Sequence, residues 1–283
     1  MRFALDFPIC GEYSQPRLLA ELARQAEDSG WHGCFVWDHI HVGDGEPVAD
    51  PWITLAAIAA KTARIRLGPL ITPLFRRHPW KVARECVTLD HLSEGRLILG
   101  IGLGSDTFGE ISTFDGPLDD RIRAEMLDEG LAIILGLWSG AQFSFSGRHY
   151  RVKEAQFLPT PLQTPRIPIW IAGTWPRKAP FRRATHYDGA VPVIGDFANS
   201  LTPAELAQLL EFVRRSRANH THFDVVQFGI TSGDSDQDRK IITPYARAGA
   251  TWWVESIVPA HQSLAEVRSR IRRGPPAVDG IPA

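Results

Sequence analysis

Leu97-Ile98-Leu99-Gly100-Ile101-Gly102, followed by Leu103-Gly104 and soon after by Glu110, is an apolar run that ends in residues chemistry can use. Three other stretches share this construction: Phe35-Val36-Trp37 before Asp38-His39, Leu67-Gly68-Pro69-Leu70-Ile71 before Thr72, and Ile167-Pro168-Ile169-Trp170-Ile171 before Ala172-Gly173-Thr174. If the four runs are parallel strands separated by helices, their carboxyl ends meet at one mouth, where active sites of such sheets lie.

Working outward, strand-like and helix-like patterns alternate along the whole chain. Strands are expected at 3–8, 33–37, 65–71, 97–102, 168–172, 189–193, 223–230 and 250–255. Leu18, Leu19, Leu22, Ala23 and Ala26 share one helical face, closed by Ser29-Gly30. Pro51 and Pro79 open the next two helices at a favourable first-turn position. Further helices are expected at 119–138, 177–186, 203–217, 236–248 and 261–273. Eight alternations with no linker between halves predict a single (β/α)8 TIM barrel over 1–273, not an open doubly wound sheet. Residues 274–283 read as a poorly ordered tail. Segment 139–165 breaks the rhythm with Phe143, Phe145 and Tyr150 around Ser146-Gly147, then Pro159, Pro161 and Pro165. It reads as a hairpin and extended stretch inserted before strand five, of the kind that covers a barrel mouth.

Composition narrows the class. With 283 residues, 44% apolar and 22% charged, the chain is an ordinary globular one able to bury a core without disulfides or metal. A net charge of −1 gives no broad attraction to nucleic acid or anionic membrane. Cys10, Cys34 and Cys86 lack metal-type spacing, and Cys34 and Cys86 read as small buried hydrophobes. No apolar stretch approaches the roughly 18 residues of a membrane span, so a cytoplasmic protein is expected.

Several segments recur together in one family. They are Asp38-His39, Asp50-Pro51-Trp52, Thr72-Pro73 with Arg76 to Pro79, and Leu89-Asp90-His91-Leu92-Ser93-Glu94-Gly95-Arg96. Then come Gly100-Ile101-Gly102-Leu103-Gly104, Leu135-Gly136-Leu137-Trp138, and Pro168-Ile169-Trp170-Ile171-Ala172-Gly173. In this order and spacing the chain resembles, over nearly its whole length, the luciferase-like flavin-dependent oxidoreductases. These are (β/α)8 barrels that include flavin monooxygenases and enzymes of the deazaflavin coenzyme F420.

The resemblance implies a reduced F420 or FMN at the mouth, and hydride transfer to or from, or monooxygenation of, a small organic substrate. His39 becomes the proton donor or acceptor and Glu110 the carboxylate near substrate. Asp38 fixes local geometry or meets the cofactor edge. Adjacent strand residues face opposite sides, so one of Asp38 and His39 is expected to point at the barrel axis and the other to serve the rim. Pro69-Leu70 is where the family places a non-prolyl cis peptide against the ring, with Thr72 on its polar edge. Gly104 lets backbone approach a planar ligand closely, and Ala172 counts among the cofactor-binding residues. Gly173 and Thr174, with Arg177 opening a helix, form a phosphate seat. Asp38, His39 and Glu110 together favour F420. The FMN version needs a reductase to supply reduced flavin, and a homodimer fits either.

Two departures stand out: Gly43 lies where relatives carry an aromatic, and Trp175-Pro176-Arg177-Lys178 replaces a Ser-rich turn. Trp175 either stacks on the cofactor or packs under the insertion. Arg270, Arg272 and Arg273 read as cations complementing a helix end. Two rival readings remain. One is a non-catalytic flavin-binding barrel. The other is a metal-dependent hydrolase using the His39-Ile40-His41 pair, although strands five and six end without ligands and strand eight offers only Glu255. A second pair, His220 and His222, precedes a strand and belongs to the opposite face.

Overall fold

The computed structural model describes residues 1–194, 200–217, 222–258 and 260–276. The apolar runs become β1 (Arg2–Phe7), β2 (Gly33–Val36), β3 (Arg66–Pro69), β4 (Thr72–Pro73), β5 (Leu99–Gly102), β8 (Ile169–Thr174), β9 (Gly189–Val193), β10 (Asp224–Gly229) and β11 (Trp252–Ser256). Between Trp138 and β8 lies an antiparallel hairpin, β6 (Phe143–Ser146) and β7 (Arg151–Ala155). Among the described residues, all the other pairings between these strands are parallel, in the order β3-β2-β1-β11-β10-β9-β8-β5-β4. Since β3 and β4 are two halves of one stave, the order describes a ring of eight. Its seam is closed by Ile98 N donating to Leu67 O at 2.9 Å.

Among the described residues, eight helices return the chain between staves: α1 (Pro16–Asp28), α2 (Pro51–Lys61), α3 (Pro79–Leu92), α5 (Asp120–Trp138), α6 (Lys178–Ala184), α7 (Pro203–Ser216), α8 (Ser235–Ala248) and α9 (Leu264–Arg272). Proline begins four of them, where its missing N–H costs nothing. A short ninth, α4 (Glu110–Thr113), precedes α5.

Strand alternation divides the apolar residues into two cores. Outward side chains join the helices in one large cluster, while Ala4, Phe35, Leu70, Ile98, Trp170, Ala172, Val191, Val226, Trp252 and Val254 fill the barrel. Phe35, Trp170 and Trp252 meet with centroids 5.4–5.9 Å apart, so the lower interior is a plug and not a channel. Any guest must sit above it, at the carboxyl ends.

The seam leaves no room for a side chain at Gly68, where an added Cβ would lie 1.9 Å from the backbone oxygen of Ile98. Gly68→Ala must therefore push two paired staves apart. We expect a loss of about 3 kcal/mol in urea unfolding, at the upper end of overpacking costs. A loss under about 1 kcal/mol would mean that the seam is compliant.

Two expectations are corrected here. The inserted segment does not cover the mouth. Phe143 occupies the space beside Gly136 near the end of α5, and Glu129 of the same helix accepts the amides of Arg148, His149 and Tyr150. The stretch that follows is tied to α3 through the Asp90 carboxylate, which accepts from Leu162 and Gln163. The insertion therefore packs on the barrel's flank. Arg270 is likewise no solvated helix end. It is buried over Trp31, its Nε donates to Thr231 at 2.9 Å, and it lies 3.7 Å from the buried Glu255.

Candidate active site

The carboxyl ends of β2, β4 and β5 bring four charged or titratable side chains into one cluster. Thr72, on β4, donates through Oγ1 to Asp38 Oδ2 at 2.6 Å. Arg76 ends a 3-10 turn (Leu74–Arg76), and its Nη2 donates to both Asp38 Oδ1 and the Asp38 carbonyl at 2.5 Å. Its Nη1 donates to Glu110 Oε1 at 2.6 Å. Glu110 Oε2 lies 2.6 Å from His39 Nδ1. The amides of Ile40 and His41 complete the Glu110 Oε1 shell at 2.6 and 3.3 Å.

Local sequence explains why these groups meet. Beyond β5 the chain turns through Gly109 at φ +70, a conformation that suits glycine, and Asp106 caps α4 by accepting the amides of Ile111 and Ser112. Glu110 thus opens a short, capped helix and faces the segment after β2. That segment is held in turn by Trp37 N donating to Phe7 O and Leu70 N to Val36 O. Because β2 ends at Val36, strand alternation does not reach Asp38 and His39. Both join the same cluster, instead of dividing between axis and rim as expected.

The electrostatics follow from enclosure. The side chains of Asp38, Glu110 and Arg76 are 0%, 3% and 7% exposed, so one guanidinium is shared by two buried carboxylates. Arg77 adds a second cation, 3.7 Å from Asp38 and 3.7 Å from Asp50. Burial alone would raise the Glu110 carboxyl. The hydrogen bond and charge of His39, then Arg76 and the Ile40 amide, outweigh it and hold the group below its ordinary value. His39 is 15% exposed and flanked edge-on by Phe108 at 5.1 Å and Trp37 at 6.0 Å. With Nδ1 held by Glu110, its other nitrogen is the one available for proton exchange.

The remaining predicted residues lie around this cluster in different ways. Pro69 and Leu70 end the first half of the third stave. The non-prolyl cis bond is Leu70–Ile71, one residue later than expected. Leu70 N is still engaged in the β2–β3 ladder, which keeps the Pro69–Leu70 bond on the strand path. Leu70 and Ile71 fill the space that side chains at Gly100 and Gly102 would need. Gly104, at φ +72, turns the chain against Pro73 and Phe75.

Ala172 points into the barrel, whereas Gly173 faces outward, where an added Cβ would lie 2.4 Å from Pro180. Thr174 ends β8 on the inner side. Arg177 precedes the seven-residue α6, whose third position is Pro180, and its exposed guanidinium pairs with Asp120 at 3.2 Å. Trp175 packs edge-on against Phe181.

Arg76, Arg77, Phe108 and Trp37 are members that inspection of the sequence leaves unassigned. The signal available for Arg76 was two consecutive arginines directly after a strand end that also carries a threonine. His41 is not drawn into a ligand set: its ring lies 3.8 Å from Asp44. Among the described residues, no group of three His, Cys, Asp or Glu is arranged to hold a metal. His222 pairs with Asp224 at the far end of β10, and His220 lies outside the described residues. Among the described residues no helix is long and apolar enough to cross a membrane.

Residues 3–263 match the luciferase-like monooxygenase family. An F420-dependent glucose-6-phosphate dehydrogenase of Nakamurella multipartita is 30% identical over 230 residues, 79% of this chain and 66% of that protein. The chain spans between 46% and 70% of the length of the curated relatives it matches. In fold it superposes on the coenzyme F420 dependent tetrahydromethanopterin reductase of Methanopyrus kandleri, with TM-score 0.78, 17% identity and 96% of each chain covered. It also superposes on the FMN-bound oxygenating constituent of 3,6-diketocamphane monooxygenase of Pseudomonas putida, with TM-score 0.73, 16% identity and 96% of each chain covered.

Proposed function

The chain belongs to the luciferase-like monooxygenase family, and on that premise we propose that it is an oxidoreductase using F420 or FMN at the carboxyl mouth of the barrel, with F420 favoured. The observation that carries this reading is the 2.6 Å contact between His39 Nδ1 and a Glu110 carboxylate already fixed by Arg76. Such a pair holds an imidazole in one orientation and balances its charge when it takes up a proton.

The residues present fit a planar, partly apolar cofactor. One side of the mouth is lined by Leu70, Ile71, Gly102 and Ala172, and the enclosed Thr72–Asp38 hydrogen bond lies behind it. Thr174 and Arg177 would take the phosphate end. Once bound, the cofactor supplies hydride chemistry as F420, or oxygen activation as reduced FMN. The protein's part is to place the substrate, exclude water and exchange a proton at His39 Nε2. Glu110 steadies the imidazolium, and Arg76 keeps Glu110 ionised within a buried site.

Side-by-side titration of the purified protein with F420 and FMN, followed by absorbance, tests the reading. Saturable binding of F420, tighter than FMN by tenfold or more on a roughly micromolar scale, is the expected result. No affinity for either cofactor would discard it. Assembly as a homodimer and supply of reduced FMN by a reductase belong to the same reading, and sedimentation of the purified protein reads the first.

A further inference from the structure

At the end of the barrel away from the mouth, the amino ends of β1, β2 and β3 border a cavity of about 410 Å³. That volume falls among small-ligand pockets, which run to roughly 300–1,000 Å³. The cavity has no part in the site described above. Its lining is basic: Arg2, Arg64, Arg66 and His32 face one acid, Glu27.

Two of the guanidiniums are held in place by the fold. Arg2 lies two residues before Ala4 of the interior plug, on the same inward face of β1. Its Cζ sits 5.4 Å from the ring centroid of the buried Trp252, so the side chain is stacked and not free. Arg66 opens β3, where its Nη1 donates to Gly95 O and Gln163 Oε1, both at 3.0 Å. Its Nε and Nη2 have no partner among the described residues. Arg64 has an exposed side chain on a fixed backbone, because Glu27 accepts the amides of Ala63, Arg64 and Ile65 at 2.5–3.1 Å.

Nothing nearby balances these charges. Glu27 is engaged by those three amides, and Arg24 approaches it from α1 at 3.6 Å. Among the described residues, no carboxylate lies within 4 Å of the guanidinium of Arg2, Arg64 or Arg66. Asp224 and Asp90 act on Arg66 from farther off. Asp224 is occupied by His222 and Thr251, and Asp90 by Leu162 and Gln163. Burial, and after it the charge of Arg2, hold Arg66 below its ordinary value in spite of those two acids. A guanidinium does not give up its proton, so both arginines stay charged in each other's field. A bound anion would relieve that repulsion.

His32 adds a neutral donor. Its Nδ1 accepts the Phe3 amide at 3.1 Å, which leaves the ring proton on Nε2. Burial, then the charges of Arg2 and the amino terminus, hold the imidazole below its ordinary value and so uncharged at neutral pH. Forked guanidiniums around one cavity suit a tetrahedral oxyanion, which accepts through several oxygens at once. A monocarboxylate, with two oxygens and a single charge, would leave the cations in excess.

We infer that this amino-end cavity is a phosphate-binding site, formed by Arg2, Arg64 and Arg66 with His32 as a neutral donor, for free phosphate or a phosphomonoester. It lies on the face opposite the proposed cofactor seat and does not depend on it. Occupancy joins the first residues of three neighbouring staves, so the ligand should stabilise the closed barrel.

The test titrates the purified full chain calorimetrically with inorganic phosphate and with glycerol 3-phosphate, at fixed ionic strength. Wild type, Arg64→Gln, Arg66→Gln and Arg177→Gln are compared. Wild type should bind at least one ligand saturably with Kd below about 5 mM. Arg66→Gln should weaken binding about tenfold or more. Arg64→Gln, which disturbs no contact of the fold, should weaken it about fivefold. Arg177→Gln, at the mouth, should leave it within about twofold. Equal affinity for the two ligands identifies free phosphate as sufficient, and tighter glycerol 3-phosphate identifies an ester; either supports the site. Bound ligand should also raise the Tm of wild type and slow amide exchange at 31–33 and 63–66. The inference is overturned by no saturable binding below about 5 mM, or by binding unchanged in both Arg64→Gln and Arg66→Gln. Loss of binding in Arg177→Gln alone, with amide protection at the mouth, overturns it as well.

Discussion

Arg76→Met should lower kcat/KM by about 10³-fold and destabilise the fold by about 4 kcal/mol, the range for removing one partner of a buried ion pair. The side chain joins Asp38 and Glu110, whose carboxylates are almost wholly enclosed. Without it, each must stay ionised in an apolar setting or take up a proton. Burial is the largest influence on Glu110, so loss of the guanidinium moves that carboxyl upward and weakens its hold on a protonated His39.

Arg76→Lys rescues little, because one ammonium cannot supply the two nitrogens that reach different carboxylates. Arg183→Ala is the control. Its partner Asp128 is 60% exposed, so the change should cost under about 1 kcal/mol and leave turnover alone. Initial rates and urea unfolding measure both effects. If Arg76→Met behaves like Arg183→Ala, the clamp has no role.

Arg76 also shows what the sequence can and cannot disclose. The four apolar runs were legible because a buried parallel strand must be apolar along its length, and the functional residues follow where the run stops. Asp38, His39, Thr72 and Glu110 all sit at such ends, and the fold draws them within hydrogen-bonding reach of one another or of Arg76. An arginine just past a strand looks the same whether it is solvated or locked between acids. That distinction depends on α4 swinging Glu110 across to β2, a tertiary fact.

The insertion was misplaced because its composition fits any apolar surface. Gly136 and Glu129, which hold it on the flank, show their purpose only once Phe143 and the 148–150 amides lie against them. Gly173 was assigned to the cofactor by its neighbours, yet packing against Pro180 explains it.

His39→Ala should cut turnover by about 10²-fold or more while leaving cofactor affinity within about tenfold, since the imidazole manages a proton and does not form the seat. Glu110→Gln keeps a hydrogen-bonding partner for Nδ1 but removes the charge, so it should lower kcat by a similar factor with little change in KM.

The pH dependence separates the two variants. The folded-state value of Glu110 lies below that of the unfolded chain. Its contribution to stability is therefore fully present above the unfolded value near 4.5 and is lost as pH falls through the lower, folded one. Wild type should hold its stability down to that lower window, whereas Glu110→Gln should show a flatter acid limb. Turnover in His39→Ala equal to wild type, measured on a substrate that the wild-type protein converts, would move the proton chemistry elsewhere. Bound cofactor without turnover in wild type would instead favour the non-catalytic flavin barrel. Comparing the two variants in the same buffer series distinguishes a proton relay from a purely structural ion cluster: a structural role would lower stability in both without altering the pH profile of the remaining activity.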